Sequence, residues 1–185
     1  MVIEAELKAP CLLVAVPQLV DPNFNRGVVM LIEHNDSGSM GLVLNRPSDL
    51  QLGTFCASQN MVFQGDDSGP IYQGGPVQQD RAFILHASKH EGPETENVFG
   101  DTRLSYSLDS LKLIVDDPPP KMRIFLGYAG WGPDQLATEV TSGAWLLGPP
   151  NEKLVFDAAP SDLWELALRD MGIEPGQLVH SGALH

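Results

Sequence analysis

The side chains best suited to recognising an anion stand together at Asn45-Arg46-Pro47. Arg46 offers a planar fork of donors, and Asn45 offers both donors and an acceptor to a carboxylate or phosphate. Asn23, Arg26, His34 and His86 also stand beside glycines, prolines and strand ends. Convergence of His34, His86 and Arg46 in one cleft would suit an enzyme acting on a small anionic substrate. The everyday alternative for Arg46 is an ion pair with Glu33 across a hairpin, since cross-strand charge pairs are ordinary sheet chemistry. A second candidate is Gly127-Tyr128-Ala129-Gly130-Trp131-Gly132, three glycines around two large aromatics. It predicts a tight strand-to-helix corner in which Tyr128 and Trp131 pack into a core or line a cleft. Pro133 suits the first helical position after it.

Several familiar chemistries fail on residue type. Gly127 and Gly132 have the spacing of a phosphate loop, but Pro133 and Asp134 replace its lysine and hydroxyl residue. Gly130-Trp131-Gly132 begins a dinucleotide fingerprint, yet Gln135 stands where its third glycine belongs. No cofactor is expected. His86 and His90 have an H-x-x-x-H spacing without a helix to align them or a following glutamate, so no metal site is expected either. There is no G-x-S-x-G elbow of a serine hydrolase. Asp66-Asp67 and Asp116-Asp117 fit solvated turns better than an acid and base flanking a substrate. Asp134 fits a favourable charge at a helix N-terminus. Cys11 and Cys56 have neither a C-x-x-C spacing nor a disulfide framework, which points to reduced thiols in the cytoplasm.

With 185 residues the chain fits one domain with a sizeable core. Eleven Lys and Arg against 24 Asp and Glu leave a formal net charge of -13. That balance disfavours direct nucleic-acid binding and adhesion to an anionic membrane. The longest early apolar run, Cys11 to Val16, is too short to span a bilayer, and Glu4 and Glu6 stand where a secretory signal would carry positive charge. A cytoplasmic location is therefore expected.

Hydrophobic patterning predicts the elements that must position these residues. Cys11 to Val16 has the composition of a buried strand, and Val28 to His34 with Ser39 to Arg46 forms a hairpin about Asn35-Asp36-Ser37-Gly38. A short helix is expected near 50–59, capped by Ser48 or Asp49. Ala82 to His86 is a strand, 87–97 a surface loop, and Val98 to Tyr106 one or two short strands. Leu108, Leu111, Lys112 and Val115 have the spacing of a short helix that ends before Pro118. A strand over 121–128 follows, then a helix carrying Leu136 and Val140, a strand at Ala144 to Leu147, and a short apolar piece at 153–156. Ser161-Asp162 should cap a last helix ending at Gly172. The pattern predicts an α+β single compact domain with a curved, largely antiparallel or mixed β-sheet flanked by helices. Residues 1–8 are expected to be a loose N-terminus, 9–172 the domain, and 173–185 a partly disordered tail.

Taken together, Asp21-Pro22-Asn23-Phe24, Glu33-His34-Asn35, Gly41 to Pro47, Gly74-Gly75-Pro76-Val77, Leu85-His86 and Gly127 to Gly132 with Gln135-Leu136 resemble the bacterial YqgE/AlgH family. Their order matches over roughly residues 9–172. The resemblance implies a compact α+β protein of the bacterial cytoplasm, in a family with a regulatory label but no recognised DNA-binding motif. The expected function is a ligand-sensing or protein-interacting regulator, whose partner is a small anionic ligand or a protein. Its pocket would lie near Asn45, Arg46, His34, His86 and the loop of Gly127, Tyr128, Gly130, Trp131 and Gly132. The alternatives are an enzyme, for example a hydrolase, acting on a small anionic substrate at a cleft near Asn45 and Arg46, and a transcriptional regulator acting through a partner rather than by direct DNA binding.

Overall fold

The computed structural model describes residues 6–87 and 92–181. The described strands and helices, in order, are β1 (Cys11–Ala15), β2 (Val28–Asn35), β3 (Gly38–Val43), β4 (Pro47–Gln51), α1 (Leu52–Ser58), β5 (Pro70–Gln73), β6 (Val77–Ala87), β7 (Thr95–Phe99), β8 (Thr102–Ser105), α2 (Leu108–Asp116), β9 (Met122–Trp131), α3 (Gln135–Thr141), β10 (Trp145–Gly148), a π-helical turn (Lys153–Asp157), α4 (Leu163–Asp170) and α5 (Pro175–Ser181). They fall into two compact units, one ending at Asn45 and resuming at Ala129, the other spanning Arg46–Tyr128. The chain has the expected α+β class, with strand pairs antiparallel except the parallel β5–β9 pair. No described helix is long and apolar enough to cross a membrane.

In the first unit the strand order is β10-β1-β2-β3, followed by the last residues of β9. All five residues of β1 are buried, which explains their unbroken apolar run. Cys11, Leu13 and Ala15 join a core with Val29, Leu31, Val43, Trp131, Leu136 and Trp145. The backbone end of β1 is tied to α4, where the Trp164 indole donates to the Ala15 carbonyl at 2.8 Å. The β2–β3 hairpin forms as expected, and its turn is held by the Asn35 side chain accepting the Ser37 N–H at 2.8 Å.

In the second unit the order is β7-β8-β6-β9-β5-β4. Phe55 and Cys56 of α1, Ile71 of β5, Ile84 of β6, Leu111, Ile114 and Val115 of α2 and Ile124 of β9 make its core. Ser107 caps α2 by accepting the Ser110 N–H at 3.0 Å.

Four local expectations are corrected. Ser48 and Asp49 do not cap α1 but lie in β4, and the first α1 N–H groups are met instead by the carbonyls of Gly69 and Asp67 at 2.8 and 3.1 Å. Gly127 to Trp131 is not a corner but the end of β9, where Ala129, Gly130 and Trp131 pair with Gly41, Met40 and Ser39. Glycine there serves close backbone approach within a sheet, a use that mimics a turn signal in sequence. Pro133 accordingly precedes α3 rather than starting it, and Asp134 caps it with φ 60 and no side-chain cap bond. Asp162 occupies the cap position of α4 but likewise makes no such bond. Apart from these corrections, the described part of the 173–185 tail contains a helix, Pro175–Ser181.

Candidate functional site

The polar residues of the first unit are largely spent on holding it together. The Asn45 side chain accepts the Val28 N–H at 3.1 Å and donates to the Arg26 carbonyl at 2.9 Å. It thereby closes the loop that carries Asp21, Asn23 and Phe24 onto the start of β2. Arg26 adopts φ 52 and lays its guanidinium 4.9 Å from the centre of the Trp164 ring. His34 is bonded across the hairpin, with its Nδ1 2.7 Å from the Ser39 hydroxyl. The cross-strand position facing Glu33 is Met40, not Arg46, and the Glu33 carboxylate accepts from Asn35 at 2.6 Å.

Trp131 is 5% exposed, so it is a core residue rather than a wall of a cleft. Its indole donates to Glu139 Oε2 at 2.9 Å, and the Trp145 indole donates to the same oxygen at 2.9 Å. Gln135 donates to the other carboxylate oxygen at 3.3 Å and accepts the Gly132 N–H at 3.0 Å. Phe24 stacks on Trp131 at 5.8 Å and meets Trp145 edge-on at 5.5 Å. Nothing in the sequence motif points to Glu139, although it lies on the α3 face one turn beyond Gln135. Gly130 is exposed opposite Met40. Ser39 with its His34 partner sits near the start of β3, whereas Asn45 lies in the bend beyond the other end of that strand.

In the second unit, Arg46 is half-buried, burial lowers its guanidinium pKa, and its carbonyl accepts the Gln73 N–H at 2.7 Å. His86 is fully buried and begins a chain of polar side chains. Its Nε2 lies 2.8 Å from the Ser105 hydroxyl, which lies 2.7 Å from that of Thr95. Ser110 and Ser107 both donate to the Pro93 carbonyl, Ser107 at 3.0 Å. The chain of hydroxyls thus fastens residues 93–95 to α2. His90 lies outside the described residues, and among the described residues no group of three or more His, Cys, Asp and Glu is placed to hold a metal.

Gly127 has φ +76, and a Cβ there would overlap the carbonyl oxygens of Gly75 and Val77. Tyr128 is half-buried and meets Phe83 edge-on at 5.8 Å. On the β6–β9 ladder Tyr128 faces Val77 while His86 faces Met122, six residues or ~20 Å further along β9. In each unit, then, the strands hold these candidates at separate positions.

Neither thiol is poised to react. Burial, opposed by a backbone hydrogen bond from Lys8, raises Cys11 to about 11, and burial followed by the charge of Asp67 raises Cys56. Both stay protonated at neutral pH and are weak nucleophiles. Cys11 borders a groove of about 410 Å³ whose only charged lining residues, among the described residues, are the exposed Glu6 and Lys8.

A second groove, of about 230 Å³, belongs wholly to the second unit. Phe55, Ile84 and Leu111 form its buried floor, and Leu108, 54% exposed, stands at its lip. Arg81 and Tyr106 line it, with the guanidinium 5.4 Å from the Tyr106 ring centre and 5.3 Å from that of Phe83. Sequence spacing shows Leu108 and Leu111 only as a helix stripe. That a stripe residue stays exposed depends on where α1 and β6 end, which local spacing does not encode.

A family model described as AlgH-like matches residues 12–176, a span that takes in both units. A UPF0301 protein of Myxococcus xanthus is 45% identical over 172 residues, covering 92% of this chain and 94% of that protein. A UPF0301 protein of Idiomarina loihiensis is 35% identical, covering 90% and 92%. The solution structure of the AlgH protein from Pseudomonas aeruginosa aligns with TM-score 0.75 and 36% identity over 95% of this chain and 97% of that one. A protein from Corynebacterium diphtheriae, at 24% identity and TM-score 0.70, shares the fold. The ordered motifs, matches over most of the chain and the shared fold agree: this chain belongs to the AlgH-like family of UPF0301 proteins.

Proposed function

We propose that the chain is a regulatory binding protein of the bacterial cytoplasm that docks a segment of a partner protein in the groove of the second unit. The observation that carries this reading is an exposed Leu108 beside a buried floor of Phe55, Ile84 and Leu111. An apolar side chain held in solvent beside an apolar hollow is what a docked side chain would cover. At about 230 Å³ the groove is smaller than the roughly 300–1,000 Å³ of small-molecule sites, and it suits one or two side chains better than a metabolite. The hydrolase alternative asks His34, His86 and Arg46 to face one substrate. His34 is bonded to Ser39, and His86 is enclosed with Ser105. Any influence on transcription is exerted through the docked partner, since a charge of -13 opposes a direct grip on DNA.

Panning a random peptide library on the wild-type protein tests this reading. Enriched peptides are expected to lose about tenfold or more in affinity for Leu108→Ser, because an apolar anchor is typically worth a kcal/mol or more. Leu108 is exposed, so the substitution should leave the fold intact. Failure of any peptide to enrich, or equal binding to Leu108→Ser, contradicts the proposal.

A further inference from the structure

Building on the docking reading, we infer that the groove selects a basic, apolar segment: a leucine- or phenylalanine-like side chain on the floor, with lysine or arginine on either side of it. The charges around the groove point this way. Asp80 lines it directly, and the Tyr106 hydroxyl on its wall donates to Glu96 at 2.8 Å. That hydrogen bond first, then burial and the charges of Glu96 and Glu94, raises the Tyr106 phenol pKa against the opposing charge of Arg81, so both carboxylates act on the wall of the groove. Asp109 is exposed on α2 immediately after Leu108.

Among the described residues, the one cation that lines the groove does not reverse this balance. Arg81 lies over the faces of Phe83 and Tyr106, and one of its nitrogens is 3.5 Å from the Gln78 side-chain oxygen. Its charge lies against two aromatic faces, and although Arg81 is exposed, the exposed carboxylates of Asp80, Glu94 and Glu96 outnumber it. A docked segment therefore meets an apolar floor inside a rim of net negative charge. An acidic partner would be repelled at the same rim, so the arrangement selects as well as attracts.

Three short synthetic peptides with identical leucine and phenylalanine positions, differing only in whether the remaining positions are lysine, glutamine or glutamate, test the inference by fluorescence anisotropy. The lysine peptide should bind about tenfold tighter than the glutamine peptide, as two or three partly exposed charge pairs allow. Its advantage should shrink several-fold between about 50 mM and about 500 mM salt. Asp80→Asn with Glu96→Gln should remove most of that advantage, so that on this variant the lysine peptide binds nearly as the glutamine peptide does. Asp36→Asn with Asp134→Asn removes the same charge from the other unit and should have little effect. If that control pair weakens the lysine peptide as much, the attraction is diffuse and the inference is overturned. If the glutamate peptide binds tightest, Arg81 sets the preference, which overturns the inference while docking stands. If no peptide depends on Leu108, the docking reading falls with it.

Discussion

Replacing Gly127 by alanine is expected to cost about 2–5 kcal/mol of folding stability, a large part of the roughly 5–15 kcal/mol that holds a typical domain. Two effects add. The left-handed φ of +76 strains any L residue by about 1–2 kcal/mol. A Cβ would also press on the Gly75 and Val77 carbonyls, the latter at 3.0 Å, so the β6 side of the β9 ladder must shift at an overpacking cost of about 1–3 kcal/mol. Gly143 supplies a matched control. It has φ +84 and open space where a Cβ would stand, with nothing within 4 Å, so Gly143→Ala should show the strain alone. At about 2–4 °C per kcal/mol, thermal unfolding should fall by ~10 °C for Gly127→Ala and by only a few degrees for Gly143→Ala. Equal losses in the two variants would show that backbone approach at Gly127 has no special weight.

Glu139→Ala is the second severe substitution. It leaves the Trp131 and Trp145 indoles, both in residues no more than 5% exposed, without the carboxylate oxygen they share at 2.9 Å. Each orphaned donor costs about 1–3 kcal/mol, so a total near ~3 kcal/mol is expected. Glu139→Gln keeps a neutral oxygen acceptor and should lose only about 1 kcal/mol, since charge-assisted bonds are roughly twice as strong as neutral ones. Urea unfolding followed by tryptophan fluorescence measures both. A Glu139→Ala variant as stable as Glu139→Gln would mean the indoles find other acceptors, and the carboxylate clamp would not be what joins β9 to α3.

These two positions also show where sequence is informative. Strands such as Cys11–Ala15 and Val28–Asn35 are legible because burial demands an unbroken run of apolar residues, and the stripe of α2 because burying one helix face imposes a period. Gly127 to Gly132 reads as a corner because glycine marks both turns and close strand approach, and only the pairing partner at Gly41 to Ser39 distinguishes them. The polar candidates are legible as residues that the fold uses, but not for what they are used. Asn45 has its partners in Val28 and Arg26, 17 and 19 residues back, and His86 has its partner in Ser105. The groove is invisible for the same reason: Phe55, Arg81, Tyr106 and Leu108 come from separated stretches that tertiary pairing brings together.

Binding at this groove, rather than at the polar motifs, is the claim on which the proposed function stands. Backbone amide NMR of the labelled protein, titrated with the lysine-bearing peptide, tests it most directly. Chemical-shift changes should cluster at Phe55, Ala82 and Tyr106 to Leu111. Changes centred instead on His34, Asn45, Arg46 or Gly127 to Gly132 would contradict it.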